Sequence, residues 1–194
     1  MEKFQNKYRI ASARAQWWNY ANNGVYFITI CTAGREYLFG DIKNNEIFLS
    51  DTGNIVQQEW GKSFEIRTEL FCDAFVVMPN HIHAIVQIDK NGHDTTNVET
   101  HGRASLQSIP QSQPSKHGIA YRLPKSISSF AAGFKSVVTK RINEFRNTPK
   151  LPVWQSRFHD HIIRNDEKYH YIKNYILDNP KNWEQDKFFK KDDQ

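Results

Sequence analysis

Residues 69–88 read ELFCDAFVVMPNHIHAIVQI, two apolar runs split by Pro79-Asn80. Each run is long enough for a strand and rich in the β-branched and aromatic residues that suit a pleated surface. Proline cannot donate to a ladder and Pro-Asn is a turn pair, so the chain must break there. The stretch therefore predicts two strands, Glu69–Met78 and His81–Ile88. Side chains at i and i+2 share a face of a strand. Ile82, Ala84, Val86 and Ile88 make one wholly apolar face, which must be the buried one, and His81 and His83 share the other, which should look toward a cleft.

Upstream, VYFITICT (Val25 to Thr32) reads as a further buried strand, and a short one follows near Glu46–Leu49. Ser50 and Asp51 then look like caps for a helix carrying Ile55, Val56, Trp60 and Phe64 at helical spacing. Downstream, residues 89–122 are rich in Ser, Gln, Thr, Gly, Pro and His without apolar period, which predicts a flexible insertion. Its histidines (His93, His101, His117) have no ligand-like spacing. A long amphipathic helix opens at Ser126 and runs to about Arg146, with Phe130, Phe134, Val137, Val138, Ile142 and Phe145 as its apolar stripe. Pro149 and Pro152 end it. Val153–Ile163 is irregular and then a strand, and Asn165 caps a last helix that Pro180 terminates, leaving a charged tail expected to fray from about residue 184. Strands and helices in this order predict a single α+β domain over residues 1–194: a ferredoxin-like antiparallel β-sheet flanked by helices.

The charge is unevenly spread. The chain carries a formal +5, while Leu123–Arg164 alone holds eight basic residues against Glu144 and Asp160, so this segment exceeds the whole. About one fifth of the chain thus carries the positive field, as a nucleic-acid groove or a solvated helix face would. The residues expected to contact DNA are Lys135, Lys140, Arg141, Arg157, His161 and Arg164. Cys31 and Cys72 sit apart in apolar runs without a CxxC, which predicts buried reduced thiols. No run approaches the length that crosses a bilayer and the start has no apolar signal core, so no membrane partner and a cytoplasmic location beside bacterial nucleoid DNA are expected.

Two groupings carry chemistry. The imidazoles of His81 and His83, roughly 7 Å apart along one strand, can take adjacent corners of a divalent cation's shell, or can be two hydrogen-bonded histidines on a half-exposed face. In the last helix, Tyr169, Ile172 and Ile176 form the core stripe; Tyr175 lies one residue off it, with Asn179 one turn on. A phenol beside a carboxamide could serve a metal site, or be a packing tyrosine and a helix-ending asparagine. Tyr169 and Tyr171 are rival nucleophiles. A second HxH, His159-Asp160-His161, precedes a basic strand end and suits positioning or DNA contact.

MPNHIHAIV, VWQSRFHDHIIRN and YIKNYILDNP, in that order, resemble the REP-associated tyrosine transposases of the HUH single-tyrosine endonuclease superfamily. The resemblance spans nearly the whole chain apart from residues 89–122. It implies His81 and His83 as metal ligands, Tyr175 as the catalytic nucleophile, Mg²⁺ or Mn²⁺ as cofactor, and single-stranded or hairpin DNA as partner, with a homodimer as the assembly. The implied reaction is cleavage at or near palindromic repeat hairpins through a 5′-phosphotyrosine. Insertion-sequence relatives carry glutamine one turn after the tyrosine as third ligand; this chain has Asn179, one methylene shorter. Two readings of other classes stay open: a non-catalytic nucleic-acid-binding domain of ferredoxin-like type, and a zinc-dependent hydrolase using His81, His83 and Asp160 or His161.

Overall fold

Along the chain, the computed structural model describes residues 3–4, 7–8, 18–90 and 122–189. It runs β1 (Lys3–Phe4), β2 (Lys7–Tyr8), β3 (Gly24–Cys31), β4 (Gly40–Lys43), β5 (Glu46–Leu49), α1 (Asp51–Ile66), β6 (Leu70–Met78), β7 (His81–Ile88), α2 (Ile127–Arg146), β8 (His159–Ile163) and α3 (Asp166–Leu177), then a 3-10 segment at Pro180–Gln185. The long strands form one sheet in the order β6-β7-β3-β8, every pair antiparallel. In chain order, helix α1 lies between β3 and β6, and α2 between β7 and β8. That is the strand-helix-strand-strand-helix-strand path of a ferredoxin-like fold.

Helices α1 and α2 cover one face. Val56, Trp60, Phe130, Phe134, Val138 and Ile142 pack on Ile28, Ile30, Ile82, Ala84 and Val86, which is the apolar face expected from the sequence. Trp60 anchors this layer, stacked on Phe75 at 4.4 Å between ring centres and edge-on to Phe130 and Phe134. Helix α3 covers the other face through Ile172 and Ile176 against Ala74, Ile85 and Ile163. The histidine face is therefore roofed, and both histidines are fully buried.

The three long helices start where their caps predict. The side chains of Ser50, Ser126 and Asn165 accept from the backbone N–H of Gly53, Ser129 and Lys168, each worth about 1 kcal/mol. Gly53 is required at its place, because a Cβ there would collide with the Phe39 carbonyl.

Four details differ from the sequence reading. A strand, β4, precedes β5 and pairs with it around Asn44-Asn45, both at positive φ (52° and 64°), the conformation a tight hairpin turn needs. Cys31 is buried as expected, but Cys72 is exposed, because edge strand β6 shifts register between Cys72 and Ala74. The tail does not fray at 184. As far as it is described, to residue 189, it is packed: Trp183 and Phe188 bury their rings against Cys31 and Met78. Finally, Asp160 and Ile162 alternate with His161 and Ile163 along β8; Ile162 joins the core under α1 and α2, so Asp160 faces away from the histidine pair. The expected insertion lies, apart from residues 89, 90 and 122, outside the described residues. No helix among the described residues is long and apolar enough to cross a membrane.

Candidate metal and tyrosine site

The site is assembled by β7, its neighbour β3, α3 and the segment after Pro180. Strand β7 puts His81 and His83 side by side, 4.4 Å between ring centres. Asn80, fully buried in the turn before them, bonds His81 Nδ1 through Oδ1 at 2.8 Å. Its Nδ2 donates to the carbonyls of Arg35 and Phe188, at 3.3 and 2.7 Å. Two carbonyls on Nδ2 fix the amide's orientation, so Oδ1 faces the ring, Nδ1 carries the proton, and Nε2 keeps a lone pair. Across the β3–β7 ladder, Thr29 Oγ1 bonds His83 Nδ1 at 2.8 Å, leaving His83 Nε2 toward α3.

Helix α3 delivers Tyr175. Its hydroxyl lies 3.2 Å from His83 Nε2 and donates to Asp186 Oδ2 at 3.1 Å. Asn179 Nδ2 donates to the same Asp186 oxygen at 3.1 Å, and the Phe188 N–H donates to Asp186 Oδ1 at 2.7 Å. One carboxylate thus ties tyrosine, asparagine and tail together. The rival tyrosines are elsewhere: Tyr171 is exposed under Lys168, and Tyr169 bonds Asp73 near Lys173.

His81, His83 and Asp186 each offer a ligand atom, all within 4.8 Å of one another. Two polar atoms in this group, His81 Nε2 and Asn179 Oδ1, are buried without a hydrogen-bond partner. A buried unsatisfied group costs about 1–3 kcal/mol, so two of them on residues around one carboxylate fit a cation that would satisfy both. Burial, with the nearby charges of Lys187 and Arg35 and against that of Asp186, pushes the His81 pKa down to about 4. Burial and the neighbouring His81 hold His83 well below its ordinary value too. Both rings are therefore neutral at neutral pH, the state in which imidazole binds a metal. Burial and Asp186 raise the Tyr175 pKa above its ordinary value, so the phenol keeps its proton until an acceptor takes it.

The sequence anticipated His81, His83, Tyr175 and Asn179, and the fold brings all four together. It missed Asp186, which sits in a segment read as a charged tail. The signal was the aromatic spacing Trp183, Phe188 and Phe189 within that charged run, a pattern that buries. The expected DNA contacts are more scattered. Lys135 Nζ donates to the Gln155 and Ser156 carbonyls at 2.6 and 3.1 Å, bracing that loop. Arg141 pairs with the buried Glu59 and reaches Gln58, and Lys140 lies 3.8 Å from Glu144. These three are on α2, across the sheet from the histidine pair. Arg157, His161 and Arg164 are exposed in and beside edge strand β8. His161 shares the histidine face but β3 intervenes, roughly 10 Å in strand spacings, so the carboxylate beside the pair is Asp186 instead.

No family model matches the chain. An uncharacterized protein of Haemophilus influenzae is 36% identical over 178 residues, spanning 92% of both chains. Among solved structures, the REP-associated tyrosine transposase bound to a REP hairpin aligns with a TM-score of 0.54 over 89% of this chain and 74% of that one, at 20% identity. At that identity the likeness shows a shared fold.

Proposed function

We propose that this chain, which belongs to one family with the Haemophilus influenzae protein and is built like a REP-associated tyrosine transposase, is a metal-dependent single-strand DNA endonuclease and strand transferase. One observation carries the reading: the Tyr175 hydroxyl sits on His83 Nε2 and Asp186 Oδ2, inside the His81, His83, Asp186 group. The DNA would be a single strand at or near a hairpin; the transposase whose fold this chain shares is bound to a REP hairpin.

His81, His83 and Asp186 would hold Mg²⁺ or Mn²⁺, with the unsatisfied Asn179 Oδ1 as a further oxygen donor. Two imidazole nitrogens favour Mn²⁺ over the oxygen-seeking Mg²⁺. The ion would polarise the scissile phosphate and offset charge in the transition state. The chain's own residues do the rest. Thr29 and Asn80 keep the imidazoles oriented through their Nδ1 atoms. Asp186 accepts the phenol's hydrogen bond and is placed to take its proton. The Tyr175 oxygen then bonds to phosphorus, the phosphorus–O3′ bond breaks, and the departing 3′ oxygen takes up a proton. The products are a 5′-phosphotyrosine and a free 3′-OH. Because the linkage is retained on the protein, a 3′-OH can reverse the step and join strands without a nucleotide cofactor.

The test is denaturing electrophoresis after incubation with a labelled hairpin oligonucleotide carrying single-stranded flanks, with Mn²⁺. A slow-migrating covalent complex is expected, lost in His81→Ala, His83→Ala and Tyr175→Phe. Cleavage that persists in Tyr175→Phe would select a hydrolase using the same histidines. Metal-independent binding without any adduct would select the non-catalytic binding domain.

A further inference from the structure

Two cations flank the site at its exposed rim, and neither belongs to the basic segment. Arg35 ends the 3-10 turn Ala33–Arg35 at φ 58°, and Lys187 follows Asp186 directly. Both side chains lie over the same ring: the Arg35 guanidinium carbon is 5.1 Å, and the Lys187 ammonium 4.8 Å, from the Phe188 ring centre. That ring packs on the histidine pair, 4.6 Å from His81 and 6.0 Å from His83 between centres. Arg35 Nη1 also donates to the Lys187 carbonyl at 3.4 Å, and the Arg35 carbonyl accepts from Asn80, the residue that orients His81. The two cations are thus held in register with each other and with the candidate ligands. Both are exposed, and neither forms an ion pair with a carboxylate among the described residues. On α2, by contrast, Lys135, Lys140 and Arg141 all have protein partners and lie across the sheet.

We propose that Arg35 and Lys187 form a phosphodiester-binding rim that seats the backbone of the DNA single strand beside the His81, His83, Asp186 group. The inference rests on the nuclease reading and adds to it where the strand's charge is met at the reacting centre. Phe188 serves as the platform: both cations lie over its buried ring, while Asp186 bonds Tyr175 and Asn179. A guanidinium and an ammonium with free N–H groups at one rim suit the two non-bridging oxygens of a phosphodiester.

The test uses Arg35→Gln and Lys187→Gln, singly and together, in the full-length Tyr175→Phe protein, where DNA binds without reacting. Glutamine removes the charge and keeps an unbranched polar side chain, one atom shorter than lysine and two shorter than arginine. Anisotropy with a labelled hairpin oligonucleotide bearing a single-stranded flank is read across salt, and Mn²⁺ affinity by the electron-spin signal of free Mn²⁺. Each neutralised phosphate contact removes about 0.7 from the log–log salt slope on single strands, which is roughly fivefold in affinity at 0.1 M salt. The double variant should lose about 25-fold on that basis, while Mn²⁺ binding is unchanged or tighter, because two repelling charges have left. Lys62→Gln on α1, on the far face, should leave the slope unchanged. An unaltered slope in the double variant overturns the proposal. Joint loss of DNA and Mn²⁺ binding also overturns it, since that marks the residues as anchors of the tail. Adduct formation by the protein with Tyr175 intact reports the nuclease reading separately, so the two ideas fail independently.

Discussion

Acidifying the metal-free protein from pH 7 to pH 5 should cost it much of its stability, and the histidine pair sets the amount. Burial brings the His81 pKa from 6.5 to about 4 in the folded chain. The unfolded chain therefore binds the proton first, and stability falls as pH drops through 6.5, levelling off below about 4. Between pH 7 and pH 5, His81 alone contributes a loss of about 2 kcal/mol. His83, also held well below its ordinary value by burial and by His81, adds to the loss in the same direction. The His81 loss alone is a sizeable share of the roughly 5–15 kcal/mol typical of a domain. Glu59, Glu69 and Asp73 lose charge mainly at lower pH: against the pull of burial, hydrogen bonds hold their carboxyls below the ordinary 4.5 and 3.8. Urea titrations in EDTA at pH 7, 6 and 5 measure the slope. The double variant His81→Gln/His83→Gln should flatten it. Equal slopes for wild type and double variant would refute the reasoning, as would a wild type indifferent to pH over this range.

Three further outcomes follow from named contacts. Asp186→Ala should weaken Mn²⁺ binding by at least about 10- to 100-fold, measured by calorimetry; if Asn179→Ala has the larger effect, the amide is the third ligand and the carboxylate its support. Phe188→Ala should cost about 3 kcal/mol and open the chain after Pro180 to limited proteolysis; a stable, protease-resistant variant would mean the tail is held without that ring. Arg141→Ala leaves the Glu59 carboxylate, whose side chain is 8% exposed, with Lys62 at 3.2 Å as its remaining cation, and should cost about 1 kcal/mol, because that pair persists and Arg141 is itself 34% exposed. An unchanged urea midpoint with DNA affinity lost would show that Arg141 serves the ligand more than the fold.

The sheet was legible because strand pairing here follows from local pattern. VYFITICT, FCDAFVV and HIHAIV carry β-branched runs bounded by turn residues, and Ser50, Ser126 and Asn165 mark where helices begin. The two histidines could be put on one face because side chains alternate along a strand. Harder to read was anything decided by contacts distant in sequence. Asn80 bonds the Phe188 carbonyl across 108 positions, and only such tertiary contacts bring Asp186 to a site defined by β7 and α3. β4 was missed because GDIK has no apolar alternation, and its pairing depends on the left-handed Asn44-Asn45 turn. Charge counting likewise found the basic segment without showing that Lys135 and Arg141 spend their donors inside the protein.

The central claim is that Tyr175 is the atom donor in a covalent step with DNA, and the chain allows a direct reading of it. Trypsin cuts after Lys168, Lys173 and Lys181, so Tyr169 and Tyr171 fall on one peptide, YHYIK, and Tyr175 alone on another, NYILDNPK. Mass spectrometry of a complex trapped with Mn²⁺ and a single-stranded hairpin oligonucleotide should find the nucleotide on residues 174–181. A nucleotide on residues 169–173, or DNA cleavage with no nucleotide on any tyrosine, would contradict the account.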